Sequence, residues 1–130
     1  MLLDTHVLVC LVSGDPQLGA TAQRQIASAA TIWVSAITPW EIGMLVAKGR
    51  LTLSRDVLEW IGAALALPGL SLAPLAPTIA ISLLPGELHG DPADRLIAAT
   101  ARHLGATLVT ADEKLLAYGA EGHLAVLAAR

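Results

Sequence analysis

Five acids stand out from an otherwise apolar chain: Asp4, Glu41, Asp91, Asp94 and Asp112. Asp4 and Asp112 each follow a short run suited to a strand, at the point where the chain should turn into a helix. Glu41 falls in the first turn of a helix that follows another strand, and Asp94 also occupies a first turn. In parallel α/β sheets, functional sites lie outside the carboxyl ends of the strands, so acids distant in sequence can converge on one edge. Helix N-termini aimed at that edge would help keep the carboxylates ionised. Several carboxylates in one partly buried place repel one another and drive their pKa values upward unless a cation sits among them. Oxygen ligands without a cysteine or an evident histidine select Mg²⁺, with Mn²⁺ as the substitute, over Zn²⁺. Such ions serve in phosphodiester hydrolysis, where they generate hydroxide and offset phosphate charge.

Each acid also has a purely structural explanation. Glu41 stands three residues after Thr38, with Pro39 between them, which is the pattern of a capping box. Asp112 could be a favourable first-turn acid. Asp4 is harder to explain this way, because it ends an apolar strand with no obvious capping partner. Geometry separates Asp91 from Asp94. Asp94 lies over Ile97, Ala98, Ala101 and Leu104, the apolar stripe of its helix. Asp91 suits the N-cap and can pair with Arg95 four residues on. The chemical role therefore falls to Asp94, and a capping role with outer metal contact to Asp91.

The elements that must position these acids alternate. Strands are expected at Met1–Leu3, Thr31–Ser35, Leu70–Leu72, Ala106–Thr110 and Leu124–Leu127. Helices are expected at about 19 to 29, from Thr38 to about Lys48, from about Arg55 to Leu67, near Thr78 to Leu84, from Asp91 to about Leu104, and at Asp112 to Tyr118. Gly14-Asp15-Pro16 forms a turn. This order predicts a three-layer α/β/α sandwich with a mainly parallel central sheet, in one domain over residues 1–130. No repeat or linker interrupts it.

Composition agrees. The chain has 130 residues, 55% of them hydrophobic, enough for one sizeable core. With 3% aromatics and no Phe, that core must be aliphatic. Trp60 to Gly86 carries no charge, yet Pro68, Gly69, Pro74 and Pro77 break it, so it reads as helix, turn, buried strand and helix rather than a membrane span. The lone Cys10 excludes an internal disulfide and reads as a buried thiol, which fits a reducing cytoplasm. The N-terminus is a poor signal peptide. The net charge of −3 is unusual for a nucleic-acid binder. Outside the five acids, however, eight basic residues face six acidic ones, a balance of +2.

Four segments, in order, carry a family resemblance: Leu3-Asp4-Thr5, Pro39-Trp40-Glu41-Ile42, Gly90-Asp91-Pro92-Ala93-Asp94-Arg95-Leu96-Ile97-Ala98-Ala99-Thr100-Ala101 and Leu108-Val109-Thr110-Ala111-Asp112. With them the sequence resembles the PIN-domain nucleases, and within these the VapC-type toxins. The resemblance implies a homodimeric, Mg²⁺-dependent endoribonuclease silenced by a VapB-type antitoxin. It assigns the acidic quartet of catalysis and metal binding to Asp4, Glu41, Asp94 and Asp112, with the Thr110 hydroxyl beside them. Gly90 departs from the pattern, since many relatives carry arginine there.

Other residues divide between roles. His89 could touch phosphate or be an ordinary loop histidine, while His6, His103 and His123 are assigned none. Trp33, Trp40 and Trp60 could stack on bases or pack against neighbouring elements or subunits. Arg95 and Arg102 could line an RNA path or form a solvated face. Two other functions compete with a ribonuclease. A phosphotransfer domain would need a nucleophilic Asp and a distal lysine, for which only Lys114 is available. A catalytically inactive PIN fold would only bind a partner or RNA.

Overall fold

The computed structural model describes every residue except Leu83, Glu87, His89 and Gly90; the readings made of His89 and Gly90 fall outside the described residues. Five strands, β1 (Leu2–Leu3), β2 (Ile32–Ser35), β3 (Leu70–Ala73), β4 (Leu108–Thr110) and β5 (Val126–Ala128), form one sheet. Their order is β3-β2-β1-β4-β5 and every pairing is parallel. Among the described residues, seven helices connect them: α1 (Thr5–Ser13), α2 (Ala20–Ser28), α3 (Ile37–Ala47), α4 (Val57–Leu65), α5 (Pro77–Ala80), α6 (Pro92–Leu104) and α7 (Glu113–Ala120).

Strand alternation sorts the apolar residues into two cores. Leu3 stands level with Val34 and Val109, and these pack with Val7, Leu8, Ile26, Ile42 and Trp60 from α1 to α4. Leu2 stands level with Trp33 and Leu108 and packs with Ile97, Ala98, Ala101, Leu115 and Tyr118 from α6 and α7. A residue-by-residue flip along each strand thus covers both sheet faces, which gives the three layers. Burying each of these large side chains contributes roughly 1.5–3 kcal/mol. The sandwich agrees with the expectation from sequence, and the parallel character extends to every strand.

Several local expectations need correction. Helix α3 starts at Ile37 with Ala36 as its cap, so Thr38 lies inside the first turn. Its hydroxyl is buried and sits 3.0 Å from that of Thr5. There is therefore no Thr38–Glu41 capping box. Pro39 is still tolerated, because the first four N–H groups of a helix lack intrahelical partners. Asp4 does find a capping partner: its Oδ1 accepts from the N–H of Thr5 at 2.8 Å. Helix α4 is trimmed to Val57–Leu65 by the Asp56 cap, whose carboxylate accepts from Leu58 N–H at 3.1 Å. The helix expected to reach Leu84 ends as the single turn α5. Strand β3 lies at the sheet edge with Ser71 and Leu72 exposed, so it is not the buried strand expected. The last strand is shifted to Val126–Ala128.

Cys10 is buried and free, as expected. Among the described residues, no helix is long and apolar enough to cross a membrane. Trp60 is in the first core, Trp33 packs against the second, and Trp40 is 59% exposed.

Helix α7 packs so tightly on β5 that a Cβ at Gly119 would come within 2.4 and 2.7 Å of the two Val126 methyls. Valine is stiff about χ1 and has no distal rotor to yield. Gly119→Ala should therefore destabilise the protein by about 1–3 kcal/mol through overpacking, even though alanine is the better helix former by about 1 kcal/mol. A denaturant midpoint equal to that of the parent would contradict this packing.

Candidate metal centre

The carboxyl ends of β1, β2 and β4 bring the acids to one edge. Asp4 follows β1 and caps α1, and Asp112 follows β4 and caps α7. Asp91 caps α6, which carries Asp94 in its first turn. Glu41 stands one turn into α3, after β2. Together with Thr5, His6, Leu45, Ala111 and Arg130, these five acids line an open cleft of about 340 Å³.

Hydroxyl groups orient the carboxylates. The Thr110 hydroxyl donates to Asp4 Oδ2 at 2.6 Å and accepts from the N–H of Asp112 at 3.0 Å. One side chain thus fixes two acids from neighbouring strands. Asp112 Oδ1 accepts from the N–H groups of Lys114 and Leu115 at 2.9 and 3.1 Å, and Asp91 Oδ1 accepts from the N–H of Asp94 at 2.9 Å. Capping uses only one oxygen of each, so the second stays available to the cleft.

One oxygen each from Glu41, Asp91 and Asp94 lie within 4.8 Å of one another. Asp4 and Asp112 share the cleft but stand outside this trio among the described residues. Asp91 is the N-cap expected of it and also sits in the closest group of acids, a position the sequence reading left to an outer role. No side-chain ion pair joins it to Arg95 among the described residues. Among the described residues, Glu41 Oε1 is buried without a hydrogen-bond partner. The Thr5 hydroxyl, 3.0 Å from that of Thr38, can accept from Thr38 and turn its own proton toward the Glu41 carboxylate, which tempers the effect of burial there.

The electrostatics follow from this crowding. Burial pushes the Asp94 carboxyl up to about 7, with Asp91, Asp4, Asp112 and Glu41 adding repulsion in that order. Burial also raises Glu41, reinforced by Asp4 and Asp91. Asp4 is raised by burial, against which the hydrogen bonds from Thr110 and Thr5 act. A buried, unpartnered carboxylate oxygen within an all-oxygen donor set suits a hard divalent cation.

The remaining candidates separate. His6 and Arg130 line the cleft, although neither had been given a role from sequence. Arg95 borders a depression beside α5, and Arg102 a groove with Gly105 and His123; neither lines the cleft. Lys114 is exposed and outside the cleft lining, so the lysine a phosphotransfer domain requires is missing from it.

Comparison with known proteins places these features. The PIN domain family matches residues 1–121. The chain is 35% identical over 116 residues to Ribonuclease VapC22 of Mycobacterium tuberculosis, covering 88% of each protein. Among solved structures it is similar to VapBC2 from Rickettsia felis, bound to a promoter DNA fragment, with a TM-score of 0.68 and 20% identity. That match covers 98% of this chain and 96% of the other. FitAcB from Neisseria gonorrhoeae aligns with a TM-score of 0.63 and 24% identity, over 97% and 95% of the two chains. At such identities the structural likeness speaks to the fold, whereas the family match runs through every acid of the cleft from Asp4 to Asp112. The chain belongs to the PIN-domain family.

Proposed function

We propose that the protein is a metal-dependent endoribonuclease that hydrolyses RNA phosphodiester bonds. In this reading it is the toxin of a VapBC-type pair, a homodimer held inactive by a VapB-type antitoxin. The observation that carries the reading is the unpartnered Glu41 Oε1 beside Asp91 and Asp94. A purely structural cluster would not keep a buried carboxylate oxygen unsatisfied among other acids. The 35% identity to a named ribonuclease supplies the substrate class.

Asp4, Glu41, Asp94 and Asp112 would hold Mg²⁺, or Mn²⁺ in its place, with the free oxygen of Asp91 beside them. The chemistry such an ion supplies is activation of water and neutralisation of phosphate charge. The protein contributes orientation. Thr110 holds the Asp4 carboxylate and the backbone of Asp112, Thr5 and Thr38 link the first turns of α1 and α3, and the N-termini of α1, α6 and α7 favour anionic groups at this edge. A cation held there would favour the ionised form of Asp94, whose carboxyl burial and the neighbouring acids raise to about 7.

Asp94→Asn should therefore abolish RNA cleavage while the protein remains folded, and Asp4→Asn should do the same. Asp91→Asn should keep the cap, since asparagine caps about as well as aspartate. It should nonetheless reduce the rise in melting temperature that millimolar Mg²⁺ or Mn²⁺ gives the parent. Cleavage undiminished in folded Asp94→Asn would refute the site. A metal-induced rise in Asp91→Asn equal to the parent's would return Asp91 to capping alone.

The pH dependence has a definite sign. Asp94 binds its proton more tightly in the folded state, with a pKa of about 7 against an ordinary value of 3.8, and Asp4 and Glu41 are raised too. Between roughly pH 4 and 7 the folded state thus holds more protons than the unfolded one, so stability falls as pH rises. Metal-free protein should have a lower melting temperature at pH 7.5 than at pH 5, and Asp94→Asn should shrink that difference. Saturating divalent metal should restore stability at the higher pH. A metal-free melting temperature that rises across this interval would contradict the crowding.

A further inference from the structure

Of the eight lysines and arginines in the chain, Arg130 alone lines the acidic cleft. It stands two residues beyond β5, and the backbone of the residue before it, Ala129, is clamped from two sides. The N–H of Ala129, a buried residue, donates to the carbonyl of Thr110 at 2.9 Å. The carbonyl of Ala129 accepts from the N–H of Gly19 at 2.7 Å. A Cβ at Gly19 would lie 3.1 Å from the Arg130 carbonyl carbon and 3.3 Å from the Ala129 oxygen, so the start of α2 stands in close backbone contact with this segment. Through Ala129, the chain next to Arg130 is tied to Thr110, the residue whose hydroxyl orients Asp4.

The Arg130 side chain does not neutralise the acids it faces. Its guanidinium donates to Gln17 Oε1 at 3.2 Å and forms no ion pair with a carboxylate among the described residues. An exposed cation at the rim of an anionic cleft, with donors to spare, suits an anion brought in from outside. The planar guanidinium fork matches phosphate oxygens two at a time. An acidic cleft otherwise repels a polyanion at short range.

We propose that Arg130 is a positioning residue that grips a backbone phosphate of the RNA strand at the rim and holds the strand across the carboxylates. This rests on the ribonuclease reading. Because the contact is made to substrate and transition state alike, its loss should appear in binding and leave the chemical step intact.

The test measures binding of an end-labelled single-stranded RNA to the full chain carrying Asp94→Asn, in Mg²⁺, across a salt series. Adding Arg130→Gln should weaken binding about tenfold, the scale of one charged hydrogen bond. It should also reduce the slope of log affinity against log salt by about 0.7, as expected for one lost phosphate contact on a single strand. Arg130→Lys should keep the slope, and Arg102→Gln should alter neither quantity. With Asp94 intact, Arg130→Gln should raise KM about tenfold at unchanged kcat. Affinity and slope unchanged by Arg130→Gln would overturn the proposal, as would a fall in kcat at constant KM. RNA that binds an Asp94-intact protein without being cut refutes the ribonuclease reading and leaves the Arg130 binding comparison valid. RNA that does not bind at all overturns both.

Discussion

Mutual repulsion among the carboxylates at one sheet edge is the constraint around which the structure is arranged. Five acids share a cleft of about 340 Å³, and burial raises the cost of ionising Asp4, Glu41 and Asp94. Such a cluster survives folding only if the surrounding elements over-determine its geometry and supply positive potential. The parallel sheet does the first by delivering three strand ends side by side. The helices do the second: Asp4, Asp91 and Asp112 are each an N-cap, so the positive ends of α1, α6 and α7 meet where the negative charge collects. The residual imbalance is concentrated on Glu41 and Asp94, the two acids that cap nothing.

Hydroxyls complete this arrangement without adding charge. Thr110 bridges β1 and β4 at side-chain level, donating to Asp4 and accepting from the backbone of Asp112. Thr5 and Thr38 link the first turns of α1 and α3, which sets how closely Glu41 approaches Asp4. Serine or threonine suits these places because each offers one donor and accepting lone pairs in a small volume. A carboxamide or a further acid would disturb either the spacing or the charge. The two apolar cores supply the rigidity behind them, since Leu2 and Leu3, the whole of β1, are fully buried on opposite faces.

Much of this was legible in the residues. Asp4, Asp94 and Asp112 end apolar runs or open helices, and a strand–helix alternation sends such positions to one edge. Asp91 as a cap followed from the proline after it and the apolar stripe that begins at Asp94. Glu41 was ambiguous because Thr38-Pro39-Trp40-Glu41 satisfies a local capping pattern. The ambiguity ends only when tertiary contact with Thr5 takes the Thr38 hydroxyl away. The exposure of β3 was hidden for a related reason: an uncharged stretch signals burial, whereas its place at the sheet edge is set by pairing order. Arg130 gave no local signal at all. Its place at the cleft comes from β5 pairing with β4 and from contact with Gly19, a separation of 111 positions along the chain.

Asp91 shows why structural and chemical roles need not compete. A carboxylate has two oxygens, and capping occupies one of them. The oxygen bonded to the Asp94 N–H fixes the first turn of α6, and that turn fixes where Asp94 stands. The other oxygen keeps its lone pairs, and Asp91 as a residue belongs to the close group with Glu41 and Asp94. Asparagine could supply the cap but would place a neutral, partly donating group where a cation is to bind. The cap and the charge therefore select aspartate for different reasons at one position. The same reasoning applies to Asp112, whose Oδ1 takes two N–H groups of α7 while the carboxylate as a whole still faces the cleft. An acid that both starts a helix and lines a site is held by backbone hydrogen bonds rather than by packing. Its position then survives the charge changes that accompany gain or loss of a metal ion.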